Sequence, residues 1–189
     1  MMRQAAPRGV VTFCNAAHRA RRPVPRLGRM DQRWTPVLGE AALSGSLAAL
    51  ASAGVLALAG ARQTPSAAAP MNATSQWVWG QGEALDADQP DGRHTVLGYV
   101  THHLAASFWA VLLARAVRER PEMREPLPAL AAGAATSAVA ALVDFKLTPE
   151  RLTPGFQHRV SKPALVASYA VFALGLAAGT VAMRRMRGS

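Results

Sequence analysis

The sequence predicts an all-α fold, a four-helix transmembrane bundle with both termini inside (N-in/C-in) and a disordered basic N-terminal tail. Three observations predict it. Half of the 189 residues are hydrophobic and only 17% are charged. Four stretches contain no Asp, Glu, Lys or Arg: Ala41–Ala61, Thr95–Ala114, Leu127–Val143 and Pro163–Met183, of 21, 20, 17 and 21 residues. A helix needs about 20 apolar residues to cross a ~30 Å hydrocarbon layer. Finally, the basic residues are unevenly placed along the chain. A disordered chain would be poor in apolar residues, and a single cysteine, Cys14, excludes a disulfide scaffold. The competing fold is a soluble Ala-rich helical bundle, but long helices in water carry a charged face and these stretches have none.

Residues 1–37 read as the tail and 38–189 as the four-span domain. Of the net charge of +10, seven lie in residues 1–29, which hold Arg3, Arg8, Arg19, Arg21, Arg22, Arg26 and Arg29 and no acid. Basic arms bind nucleic acid or anionic membranes. An Arg-rich leader before an apolar segment is also an ordinary cytoplasmic flank. The bilayer is therefore the expected partner, and nucleic acid is set aside. Met30 offers a second plausible start.

Glu40 and Arg62 bracket the first span. Ala59-Gly60-Ala61 has the form of a signal-peptidase site, so a cleaved signal is an alternative. Against it, the apolar run is long, and Asp31 and Glu40 interrupt a basic leader. Pro126 and Pro128 start the third span and Pro163 the fourth, since proline is tolerated in a first helical turn. Trp34 and Trp109 suit an interfacial belt. With the N-terminus inside, fifteen Lys and Arg fall on the cytoplasmic side and six outside. That asymmetry predicts the orientation. The last external loop, with Lys146, Arg151, Arg159 and Lys162, is the exception; Glu83, Asp86, Asp88 and Asp91 are its expected counter-charges.

Helices in lipid have no hydrophobic drive to associate, so small residues mark their contacts. Gly175 and Gly179 form a GxxxG pattern in the fourth span. Ser44, Gly45, Ser46, Ser52 and Gly54 in the first, and Gly133, Thr136 and Ser137 in the third, are similar faces. Packing within one chain, in a homo-oligomer or with another membrane protein is equally compatible.

The external loop Pro70-Met71-Asn72-Ala73-Thr74-Ser75-Gln76-Trp77-Val78-Trp79-Gly80 is uncharged and polar. If extended, it places Trp77 and Trp79 on one face, as interfacial anchors or as the roof of a cavity. Histidines inside a span are rare and face the bundle or a cavity. His102 and His103 are such residues, about 100° apart on a helix. One helix therefore cannot aim both at one ion. With His94, Asp144 at the end of the third span, and His158, they form a candidate polar or metal cluster on the external side. Imidazole and carboxylate suit divalent metals and proton relay. Hydrogen bonding between helices is the competing role. Thr148-Pro149 and Thr153-Pro154 predict two helix starts, with Thr as N-cap. No phosphate-binding glycine loop, nucleophile motif or paired cysteines appear, so the cofactor stays open.

The loop 70–80, Arg93-His94-Thr95, His102-His103 and the run from Asp144-Phe145-Lys146-Leu147 through Thr153-Pro154-Gly155-Phe156 resemble segments of small integral inner-membrane proteins of Proteobacteria. The resemblance covers about residues 35–185. It implies four helices and an inner-membrane location, with no activity attached. The expected function is a non-enzymatic membrane component or accessory subunit. The alternatives are a small transport or metal-binding protein using the His/Asp cluster, or a membrane enzyme with that cluster as its site.

Overall fold

A computed structural model describes residues 28–188. The disorder expected of the basic tail concerns mainly residues 1–27, which lie, with Cys14, outside the described residues. The helices are α1 (Gly28–Gln63), α2 (Ala69–Thr74), α3 (Gln76–Trp79), α4 (Gln81–Asp86), α5 (Leu97–Val117), α6 (Pro126–Leu142) and α7 (Lys162–Gly188). A π turn, Gly92–Val96, leads into α5, and another, Val143–Leu147, leaves α6. No strand occurs among the described residues.

Four helices are long and apolar enough to cross a membrane: Trp34–Gln63, Gly92–Val117, Pro126–Leu147 and Lys162–Gly188. The shortest, 22 residues, is about 33 Å long at 1.5 Å per residue. The side chains are arranged opposite to those of a soluble bundle. Val96, Val100, Leu104, Phe108 and Leu112 form an i,i+4 stripe along one side of the second helix, and each is 44–64% exposed. Ser44, Ser52, Ser137, Ser168 and Thr180 point inward and are buried. Water would drive the two sets to exchange places; a hydrocarbon surround favours them as they stand.

Each predicted span is present and longer than its charge-free run. The largest extension corrects the tail boundary. α1 begins at Gly28, so residues 28–37 are helical rather than tail. Nothing from Met30 to Thr35 breaks a helix, and the segment is anchored. Val37 is buried, and Arg187 donates to the Pro36 carbonyl at 2.6 Å.

α7 lies along α1, with α5 and α6 on the outer flanks of that pair. A Cβ on Gly175 would stand 2.5 Å from the Ala48 Cα, and one on Gly179 would stand 2.3 Å from the Ser44 Cα. The GxxxG face therefore packs within this chain, against Ser44 and Ala48, which share its four-residue spacing. Gly133 does the same for α6, where an added Cβ would meet the Ala173 carbonyl oxygen at 2.6 Å. One turn on, Ser137 donates to the Tyr169 carbonyl at 2.7 Å. α5 and α6 scarcely touch, which leaves the bundle open along one side.

Both chain ends meet at one end of the bundle. Glu40 on α1, 1% exposed, accepts from Arg124 Nε to both carboxylate oxygens at 3.3 Å and from Arg187 at 3.2 Å. Two helices, α1 and α7, and the α5–α6 connection are thereby tied at a single carboxylate. The opposite end carries a cap of α2, α3 and α4.

Candidate functional site

The cap is built from the uncharged loop 70–80, and it is helical rather than extended. Residues 69–76 are all buried, and a buried backbone must satisfy its own hydrogen bonds, which short helices do. Asn72 and Gln76 then bind the cap to its surroundings. Asn72 donates to the Ala87 and Gln89 carbonyls, both at 2.8 Å, and its Oδ1 accepts from Thr95 at 2.6 Å. Gln76 Nε2 donates to the Thr153 carbonyl at 2.8 Å and the Glu150 carbonyl at 3.1 Å. Two glycines let backbones meet here. A Cβ on Gly98 would fall 2.0 Å from the Met71 carbonyl oxygen. Gly155, at φ +85°, would bring one to 2.3 Å from the Ala73 carbonyl oxygen.

The Thr-Pro pairs do not start helices. Single 3-10 turns form instead, one residue past Pro149 at Glu150–Leu152 and two residues past Pro154 at Phe156–His158. Thr153 is engaged elsewhere: its hydroxyl donates to the Glu150 carbonyl at 2.7 Å and accepts from Gln157 at 2.8 Å. One expected counter-charge pair forms, Arg159 with Asp88, and Arg159 also donates to the Leu85 carbonyl at 2.7 Å.

Trp77 and Trp79 diverge. Trp77 donates to the Thr153 carbonyl at 3.1 Å and faces a cavity beneath the cap. Trp79 lies outside it, donating to the Arg93 carbonyl at 3.3 Å, with the Arg93 guanidinium 4.1 Å from its ring centre.

The five candidate ligands separate into four settings. His94 is buried and pairs with Asp91, Nδ1 to Oδ2 at 2.8 Å, while its Nε2 lies 3.5 Å from Glu83. The His94 backbone N–H donates to Asp91 at 2.5 Å. That bond, reinforced by the ring contact, holds the Asp91 carboxyl below its ordinary range. His103 lies 3.3 Å from the Tyr99 hydroxyl and 3.4 Å from Ser46. His158 meets Gln81 at the surface, 3.2 Å away. Only His102 and Asp144 face one space. Among the described residues, no three His, Cys, Asp or Glu side chains gather in a group able to hold a metal ion. The physical reason is helical geometry: neighbours on α5 point apart, and each histidine finds a local partner first.

The shared space is a cavity of about 60 Å³, room for a few waters. Thr74 and Trp77 roof it with Pro154 and Phe156; Ser52, Ser168, Tyr169 and Phe172 form its back wall. α5 contributes His102 and Trp109 to one side, and α6 contributes Ala140 and Asp144 to the other. The cavity therefore lies between two helices that scarcely touch. The π turn at Val143–Leu147 fits an extra residue into one turn and redirects the side chains within it. Asp144 thereby reaches α7, where it accepts from the Tyr169 hydroxyl at 2.6 Å. No Lys, Arg or His of the described residues lies within ion-pair distance of it.

His102 Nε2 lies 3.0 Å from Ser52 Oγ, a spacing that superficially resembles a nucleophile and its base. The Ser52 hydroxyl also lies 2.7 Å from the Ala48 carbonyl and 3.3 Å from the Ala49 carbonyl, so three acceptors share its one proton. Ser52 is 1% exposed, so nothing reaches its oxygen. Sequence reasoning passed over Thr74 as a site residue, Tyr169 and the role of Ser52. A lone tyrosine within an apolar run, four residues from each of two other interior positions, Leu165 and Ala173, was the available signal for Tyr169.

Comparison with protein families, with curated proteins and with solved structures finds no match for this chain.

Proposed function

We propose that this chain is a non-enzymatic component of a bacterial inner membrane, of the kind its resemblance to small proteobacterial membrane proteins implies. Both termini lie in the cytoplasm, and its external half holds a small molecule that enters from the bilayer. The observation that carries this is the cavity between α5 and α6. It is walled mainly by apolar and aromatic side chains, with a few polar groups at its back, which is the usual make-up of a ligand site. It lies along the open side of the bundle, beneath the cap. The meeting of both chain ends at Glu40, together with the fifteen-to-six basic asymmetry, supports the orientation. The burial of Ser52, with two backbone carbonyls beside its hydroxyl, supports binding rather than covalent catalysis.

Trp77 and Trp109 line the cavity, so bromine on an entering chain quenches their fluorescence. The full chain in nanodiscs is titrated with bromododecyl amphiphiles of several head groups. At least one is expected to quench saturably, and Ala140→Leu, which fills the cavity, is expected to abolish that saturation. Purely linear quenching by every member, unchanged by Ala140→Leu, refutes ligand binding.

A further inference from the structure

Resting on that reading of the cavity, we infer that its ligand is a primary ammonium group, carried by a lipid headgroup or by a small free amine. Acceptor oxygens face the cavity from two sides, on Asp144 and on Thr74. His102 lies 3.0 Å from Ser52 through Nε2, and the tautomer protonated there keeps a lone pair on Nδ1. Asp144 Oδ2 accepts from Tyr169, and its other oxygen has no donor among the described residues. Thr74, 3% exposed, lines the roof, and its hydroxyl has no hydrogen-bond partner. A buried hydroxyl without a partner costs stability unless something else meets it.

No Lys or Arg lines the space. A carboxylate without a cationic partner inside a membrane span is expensive. An alkylammonium offers three N–H donors and the missing positive charge. The surrounding rings, Trp77, Trp109, Phe156 and Phe172, favour a cation as well. An anionic head group meets the Asp144 carboxylate here, and a quaternary ammonium brings charge without donors. The volume of about 60 Å³ accommodates an ammonium group and its first methylenes, and the rest of an amphiphile leaves through the α5–α6 gap.

The test uses the same nanodiscs, made of phosphatidylcholine, and four probes: bromododecylamine, its trimethylammonium analogue, bromododecanol and bromododecanoate. The amine is expected to bind at least about tenfold more tightly than the other three, the scale of one charge-assisted hydrogen bond. Asp144→Asn keeps an acceptor for Tyr169 and is expected to erase that preference while circular dichroism stays unchanged. Thr74→Val is expected to weaken the amine alone. Competition by soluble ethanolamine assigns the site to a free amine. Weakening when phosphatidylethanolamine replaces phosphatidylcholine assigns it to the headgroup. Equal affinity across head groups, a preference that survives Asp144→Asn, or no competition from either amine source overturns the ammonium assignment while leaving cavity binding intact. If no probe saturates, cavity binding itself falls.

Discussion

Gly98→Ala adds one methyl group where α5 passes under the cap. The new Cβ would stand 2.0 Å from the Met71 carbonyl oxygen, against the 3.4 Å at which ordinary contact begins. The cap or the helix must therefore retreat by 1.4 Å, the difference of those two distances. Neither partner is a flexible side-chain end, so the movement is transmitted to the backbone. Lifting α2 by that amount strains the Thr95–Asn72 bond, now 2.6 Å, and the two carbonyls that Asn72 holds at 2.8 Å. Overpacking typically costs about 1–3 kcal/mol, and each lost hydrogen bond adds about 0.5–1.5 kcal/mol. A loss of roughly 3 kcal/mol is expected. Unfolding in mixed micelles, followed by circular dichroism, measures it. Gly82→Ala serves as the control, because nothing lies within 4 Å of its added Cβ. If Gly98→Ala unfolds within about 0.5 kcal/mol of the native chain, the range of an ordinary surface substitution, the tight seating of the cap is wrong.

Two further outcomes are expected. Glu40→Ala strands Arg124, whose side chain is 13% exposed, and should cost roughly 3–5 kcal/mol, as removal of one partner from a buried pair does. Arg187→Ala, whose side chain is 39% exposed, should cost under about 1 kcal/mol; equal losses for the two variants in the same unfolding assay would contradict this. The Asp91 carboxyl is held below its ordinary value of 3.8 by His94, so its contribution to stability is full above that value. It is lost as pH falls further, through the lower value of the folded chain. Unfolding midpoints of the native chain minus those of Asp91→Asn should therefore be flat at higher pH and shrink below 3.8. A difference that grows on acidification would reverse the sign.

The spans were legible because lipid imposes a one-dimensional rule: about 20 residues without charge. Runs such as Thr95–Ala114 obey it without knowledge of their neighbours. The GxxxG face was legible for the same reason, although whether it met its own chain depended on Ser44 and Ala48 lying opposite. The site was less legible because its geometry is set by departures from regular helix. A π turn redirects Asp144 to Tyr169, and no periodicity in the sequence announces it. The helices of the cap were hidden for a related reason. Residues 70–80 read as a loop, but burial of residues 69–76 requires local hydrogen bonds, and those are helical. Glu40 looked like a boundary marker because its two arginines are 84 and 147 residues away.

The hydrogen bonds of Gln76 also fix an order of assembly. Residue 76 follows the first span, yet its partner Thr153 lies 77 positions later, beyond the third. During synthesis Asn72 meets its partners at residues 87–95 early, but Gln76 and Trp77 wait until two more spans have inserted and the loop after them has followed. A chain truncated before residue 150 would carry its first spans and never close its lid. Completion of the cap thus reports that three spans and the loop after them have reached their final places.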